Sequence, residues 1–171
     1  TTEKAVASGA SVCLQAFGFE EHIEELWNQC LAKFRTGIFA VSCKDFKTAK
    51  ALQAIAELNG SALTRSLRVI IPWHRVSREQ IVELNGLNPI PRLGSIQDVE
   101  QYAKSPWDQQ NDPCVIIEGY ESGGLCGRDS QYILFQKALS CLNDCRMIVA
   151  GPIGLLSFSA LNSQGIHSIL L

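Results

Sequence analysis

Four stretches of this chain are near-continuous apolar runs: Gly37 to Ser42 (GIFAVS), Leu67 to Pro72 (LRVIIP), Cys114 to Glu118 (CVIIE) and Arg146 to Ala150 (RMIVA). A strand with one wet face alternates apolar and polar residues. A strand that does not alternate must be covered on both faces, which is the situation of a parallel sheet flanked by helices. Ser11 to Phe17, Pro89 to Leu93 and His167 to Leu171 are further strand candidates. Helical patterns lie between the strands, over Glu20 to Phe34, Asp45 to Asn59, Ser77 to Leu84, Ile96 to Ala103, Gln131 to Leu142 and Leu156 to Gln164. Ile23, Leu26, Trp27, Cys30, Leu31 and Phe34 recur at helical spacing, so Leu26, Trp27 and Phe34 read as a core stripe. Ser77 ahead of Glu79 and Gln80, and Ser95 ahead of Gln97 and Asp98, have the composition of helix starts.

This alternation predicts an α/β fold of repeated βα units. About seven parallel strands with six helices between them, and a helix ahead of the first, point to a (β/α)8 TIM-barrel-like domain lacking one strand. An open doubly wound sheet is the alternative. A full barrel needs about 250 residues, and this chain has 171. Residues 1–171 therefore read as a single partial barrel domain, a segment of a longer polypeptide. The apolar ending Ile169-Leu170-Leu171 carries the same expectation.

A net charge of −2 and the absence of a basic recognition helix argue against a nucleic-acid partner. No apolar run is long enough to span a bilayer, and the first ten residues lack the pattern of a secretory signal, so a cytoplasmic setting without membrane contact is expected. Seven cysteines, with no C-x-x-C pair, fit neither a disulfide framework nor a zinc site. Most read as small buried apolar residues, and the i, i+4 pair Cys141 and Cys145 has no further ligand nearby.

In parallel βα folds, the residues just after each strand form the active face. Five such loops stand out: Gln15 to Gly18, Ser42 to Asp45, Trp73 to Arg75, Gly119 to Arg128, and Gly151 to Gly154. VAGPIG places two glycines between a strand and a helix, where backbone N–H groups can face a phosphate; the same glycines are also ordinary turn residues. GYESGGLCG followed by IVAGPIG resembles the loop pair of the nitronate monooxygenase and flavin-type enoyl reductase family. The matching positions are Gly119, Glu121, Gly123, Gly124 and Gly127, then Ala150, Gly151, Ile153 and Gly154. PIPRLGSIQDVEQYA resembles the family's segment ahead of the first loop.

The resemblance implies a TIM barrel that binds FMN through Gly123, Gly124, Gly151 and Gly154, and oxidoreductase chemistry in which Glu121 takes part. It also implies two losses. The family's catalytic histidine falls at Leu125, which cannot carry a proton, and Pro152 removes an N–H donor from the phosphate loop. The family's remaining phosphate contacts would lie beyond Leu171. VIIPW and LLSFSALNSQGI resemble the degenerate barrels inside polyketide- and fatty-acid-synthase-like multidomain proteins, which implies other domains of one polypeptide as partners and a small-molecule or acyl substrate.

An active FMN oxidoreductase with a replacement base is the alternative, with His74 or Glu121 in that role and Arg75 holding a carboxylate or phosphate. The plainer reading of the same residues is that His74 bonds a neighbouring loop and Arg75 pairs with Glu79. IPWHRV also resembles the active-site segment of alkylguanine-DNA alkyltransferases, with Trp73 at the reactive cysteine, which gives DNA-lesion binding as a minor alternative. His22 and His167 read as structural. Glu118 is expected to accept N–H bonds from the loop that follows it. Cys126 is a thiol candidate only if Arg128 approaches it in space.

Overall fold

A computed structural model describes residues 12–15, 22–28, 38–58, 67–109, 113–122, 128–142, 144–151, 163 and 166–170. The chain divides into two compact units, Thr1–Ile90 and Pro91–Leu171.

In the first unit, β1 (Val12–Gln15), β2 (Ile38–Ser42) and β3 (Arg68–Pro72) pair in parallel in that order. Helices α1 (Ile23–Leu26), α2 (Phe46–Leu58) and α3 (Arg78–Glu83) belong to the same unit. Helix α2 starts where Asp45 Oδ1 accepts both the backbone N–H and the hydroxyl of Thr48, each at 2.9 Å. These bonds, the backbone one foremost, hold the Asp45 carboxyl below its ordinary range. Ala49, Leu52 and Ala56, at i, i+3 and i+7, form the buried stripe of α2 and join Trp27, Val41, Val69, Ile71 and Leu87 in one core. Ser77 caps α3 through a reciprocal capping box with Gln80, as the sequence predicts.

In the second unit, β4 (Pro89–Leu93, which starts just before the boundary), β5 (Cys114–Glu118), β6 (Arg146–Ala150) and β7 (Ile166–Leu170) pair in parallel in chain order. Helix α4 (Ile96–Ala103) connects β4 to β5, and α5 (Gln131–Cys141) connects β5 to β6. Ser95 Oγ accepts the Asp98 N–H at 3.1 Å, which starts α4 at the expected serine. Leu134, Phe135 and Ala138 bury one side of α5.

Strands β3, β4, β5 and β6 share one pattern: the first residue is half-buried and the next four are buried. Neighbouring residues on a strand point to opposite faces, so four consecutive buried positions mean that both faces are covered. The α/β class with parallel strands is thereby shown, and no described helix is long and apolar enough to cross a membrane.

The five described cysteines are free thiols; Cys43 and Cys145 are buried, and Cys13, Cys114 and Cys141 are half-buried. Cys114 occupies the partly open first position of β5, and Cys141 ends α5. Trp27 and Ile23 are buried, as a core stripe requires. The helix expected over Leu156 to Gln164, the positions of Leu31 and Phe34, and Cys30 and Cys126 lie outside the described residues, apart from Ser163.

Candidate functional site

In the second unit, the carboxyl ends of β4, β5 and β6 are tied together by their own loops. The Gly94 N–H donates to Asp98 Oδ2 at 3.0 Å, the Arg128 N–H to the Gly94 carbonyl at 3.0 Å, and the Ile96 N–H to Asp129 Oδ2 at 2.8 Å. The Asp129 carbonyl in turn accepts the Tyr120 N–H at 3.1 Å. Asp129 thus joins the loop after β4 to the loop after β5 by its side chain and its backbone together.

The next joint involves Glu121 and Gln131. Glu121 is exposed, and its Oε2 accepts the N–H of Gln131, the first residue of α5, at 2.9 Å. A carboxylate at a helix start satisfies an orphan donor and complements the helix dipole. The Gln131 side chain reaches the Ala150 carbonyl at the end of β6, and the Ser122 hydroxyl donates to the same oxygen. Two donors on one carbonyl fix the exit of β6 against the loop after β5.

These joints explain two of the glycines. A Cβ at Gly119 would run into the backbone N of Gln131 and the Glu121 carboxylate. Gly151 has φ +132°, and a Cβ there would sit 2.6 Å from Ser122 Oγ and 3.3 Å from the Gln131 side-chain amide. The space that a side chain would occupy at both positions is filled by the chain itself.

One strand position deeper lies an ion pair. Arg92 on β4 and Glu118 at the end of β5 meet at 3.0 Å, Nε to Oε2, and both are more than nine-tenths buried. This corrects the expectation for Glu118, which pairs with the neighbouring strand. Two described donors of the loop are engaged elsewhere, the Tyr120 N–H with the Asp129 carbonyl and the Ser122 N–H with the Gly119 carbonyl. Burial pushes the Glu118 carboxyl above its ordinary value, and the attraction of Arg92 only partly opposes that shift.

In the first unit, Cys43 N–H donates to the Ile70 carbonyl at 2.8 Å, so the Lys44-Asp45 loop and the Trp73–Arg75 turn leave the same edge of the β2–β3 pair. His74 and Arg75 are exposed. The Arg75 Nε–H donates to His74 Nε2 at 3.3 Å. Glu79, the partner expected for Arg75, instead accepts its own backbone N–H and a bond from Ser77, which together with nearby Arg78 hold its carboxyl low.

Of the site residues named from the sequence, Glu121 and Gly151 are thus joined through Gln131 and Ser122, and His74 belongs to the other unit. Gly123, Gly124, Leu125, Gly127, Pro152, Ile153 and Gly154 lie outside the described residues. Arg92, Ser122, Asp129 and Gln131 were not singled out by sequence. Arg92 left a signal, since it is a lone cation inside the apolar run PIPRL; Ser122 and Asp129 are ordinary loop residues, and Gln131 is an ordinary polar residue at a helix start. No group of three or more potential metal ligands occurs among the described residues. Compared with known proteins, the chain matches no family model and no curated relative.

Proposed function

We propose that this chain is a (β/α)8-type domain of the nitronate monooxygenase and enoyl reductase kind, held in a longer synthase-like polypeptide, in which the loop after β5 serves the fold and no longer catalyses proton transfer. The observation that carries this is the engagement of Glu121. The carboxylate that the resemblance would assign to catalysis caps α5, and the residue at the catalytic histidine's place is Leu125.

FMN is the cofactor that the resemblance implies, and the described residues give it no cradle. Gly119 and Gly151 lack side chains in places that Gln131, Glu121 and Ser122 already fill, and the Ala150 carbonyl is held by two donors of the chain. The parallel strands, covered on both faces, support the barrel part of the reading. Flavin absorbance tests the rest. The complete polypeptide, purified and mixed with FMN, is expected to show no protein-bound band near about 450 nm and no flavin-dependent oxidation of an alkyl nitronate or reduction of an enoyl thioester. A yellow protein that turns over either substrate would sink the proposal in favour of an active oxidoreductase with a substitute base.

A further inference from the structure

The segment from Ile71 to Val76 has no part in the reading above. We propose that Arg75, oriented by His74, binds the phosphate group of a small-molecule ligand at the carboxyl edge of β2 and β3. This goes beyond the flavin reading and does not depend on it.

Three observations converge. First, the residues leave the edge of a parallel strand pair on which α/β folds place their ligands. Second, the guanidinium bonds an imidazole nitrogen: among the described residues, the hydrogen bond it makes is the one to His74 Nε2, and no carboxylate bonds it. An Nε held by an imidazole fixes the plane of the guanidinium and keeps its full positive charge, so the two Nη groups form a pre-oriented fork of the kind that suits phosphate oxygens.

Third, the acids at this edge are engaged by backbone. Asp45 is spent on Thr48, and Glu79 on its own N–H and Ser77. Among the described residues, the exposed cations Lys44, Lys47, Arg75 and Arg78 lie near this edge with these two acids, in a chain whose net charge is −2. Such a local excess draws a dianion more strongly than a single carboxylate. Trp73, half-buried in the same turn, offers an apolar wall to whatever carries the phosphate.

The test uses the full chain, labelled with 15N, and inorganic phosphate as the probe, with chloride at matched ionic strength as the reference. Phosphate is expected to shift the Arg75 Nε signal and the amides of residues 73–75 saturably. Arg75→Gln should weaken this binding by about tenfold or more, the usual size of a lost charge-assisted hydrogen bond. Lys104→Gln, which removes an exposed cation of the other unit, should leave it unchanged. Shifts no larger than those from chloride would overturn the proposal, as would equal losses in the two variants, since either result would mean general screening and not a site.

Discussion

The loops after β5 and β3 both follow buried strands and begin alike, each with a short 3-10 turn, yet they use their charges in opposite ways. After β5, Glu118 is paired with Arg92, Glu121 caps α5, and Gly119 makes room for Gln131. After β3, the arginine is exposed and bonds only a neighbouring imidazole among the described residues. The difference separates residues that the fold requires from residues that it merely tolerates. A loop whose polar groups are consumed internally is architecture, however much its sequence looks like an active site; a loop with charge left over has something to offer a ligand.

The sharpest way to break this comparison is at the ion pair. Glu118→Ala removes the carboxylate that faces the buried Arg92 guanidinium and should cost about 3–5 kcal/mol, measured by urea denaturation. Replacing both partners, Arg92→Met with Glu118→Leu, should restore most of that stability, because burial already outweighs the attraction of the pair. The pH dependence has a definite sign. A carboxyl whose folded-state value is raised contributes stability below its unfolded value, and that contribution is lost as the pH rises through the folded one. As the pH rises above the ordinary glutamate value of about 4, the parent chain should therefore lose stability relative to the double variant. A profile that moves the other way would mean that Arg92, and not burial, governs Glu118.

Next in size come the glycines. Gly119→Ala puts a methyl group against the backbone of Gln131, which cannot step aside as a flexible side-chain tip would, and should cost about 2–3 kcal/mol. Gly151→Ala meets Ser122 and also holds an L-residue at φ +132°, for about 1–3 kcal/mol. Both effects read directly in a thermal melt. If Gly151→Ala is neutral, that glycine is not kept for close approach, and the phosphate reading of VAGPIG regains ground.

How much of this was legible beforehand depends on whether the cause was local. Apolar runs and capping serines act within a few residues, so β4, β5, β6 and α4 have the bounds that the sequence predicts, and Ser77 and Ser95 cap as expected. Glu118 was misjudged because its partner lies 26 positions earlier, on a neighbouring strand, and only strand register brings Arg92 to it. Gln131 was invisible for the same reason: one side chain spans from the start of α5 to the end of β6. The expected Arg75–Glu79 pair respected helical spacing but overlooked two nearer claims, the imidazole beside Arg75 and the backbone N–H beside Glu79.

Glu121 gives a smaller and more local effect. Glu121→Ala removes the acceptor on the Gln131 N–H and should cost about 1 kcal/mol, in line with other losses at helix starts, with faster amide exchange over the first turn of α5. Ser130, whose hydroxyl accepts the Ile133 N–H at 3.5 Å, keeps the helix from unravelling further.

At the low end stands Arg75→Gln, and its smallness is the point. The side chain is exposed, makes no carboxylate pair among the described residues and hydrogen-bonds its neighbour His74, so its loss should change stability by less than about 0.5 kcal/mol while weakening phosphate binding. Set beside Glu121→Ala, this reverses the order in which the two loops resemble an active site. The acid that matches the flavin-family loop should matter to folding, and the arginine outside that loop pair should matter only to a ligand. A cost for Arg75→Gln as large as that for Glu121→Ala would erase the distinction, since both charges would then be serving the fold.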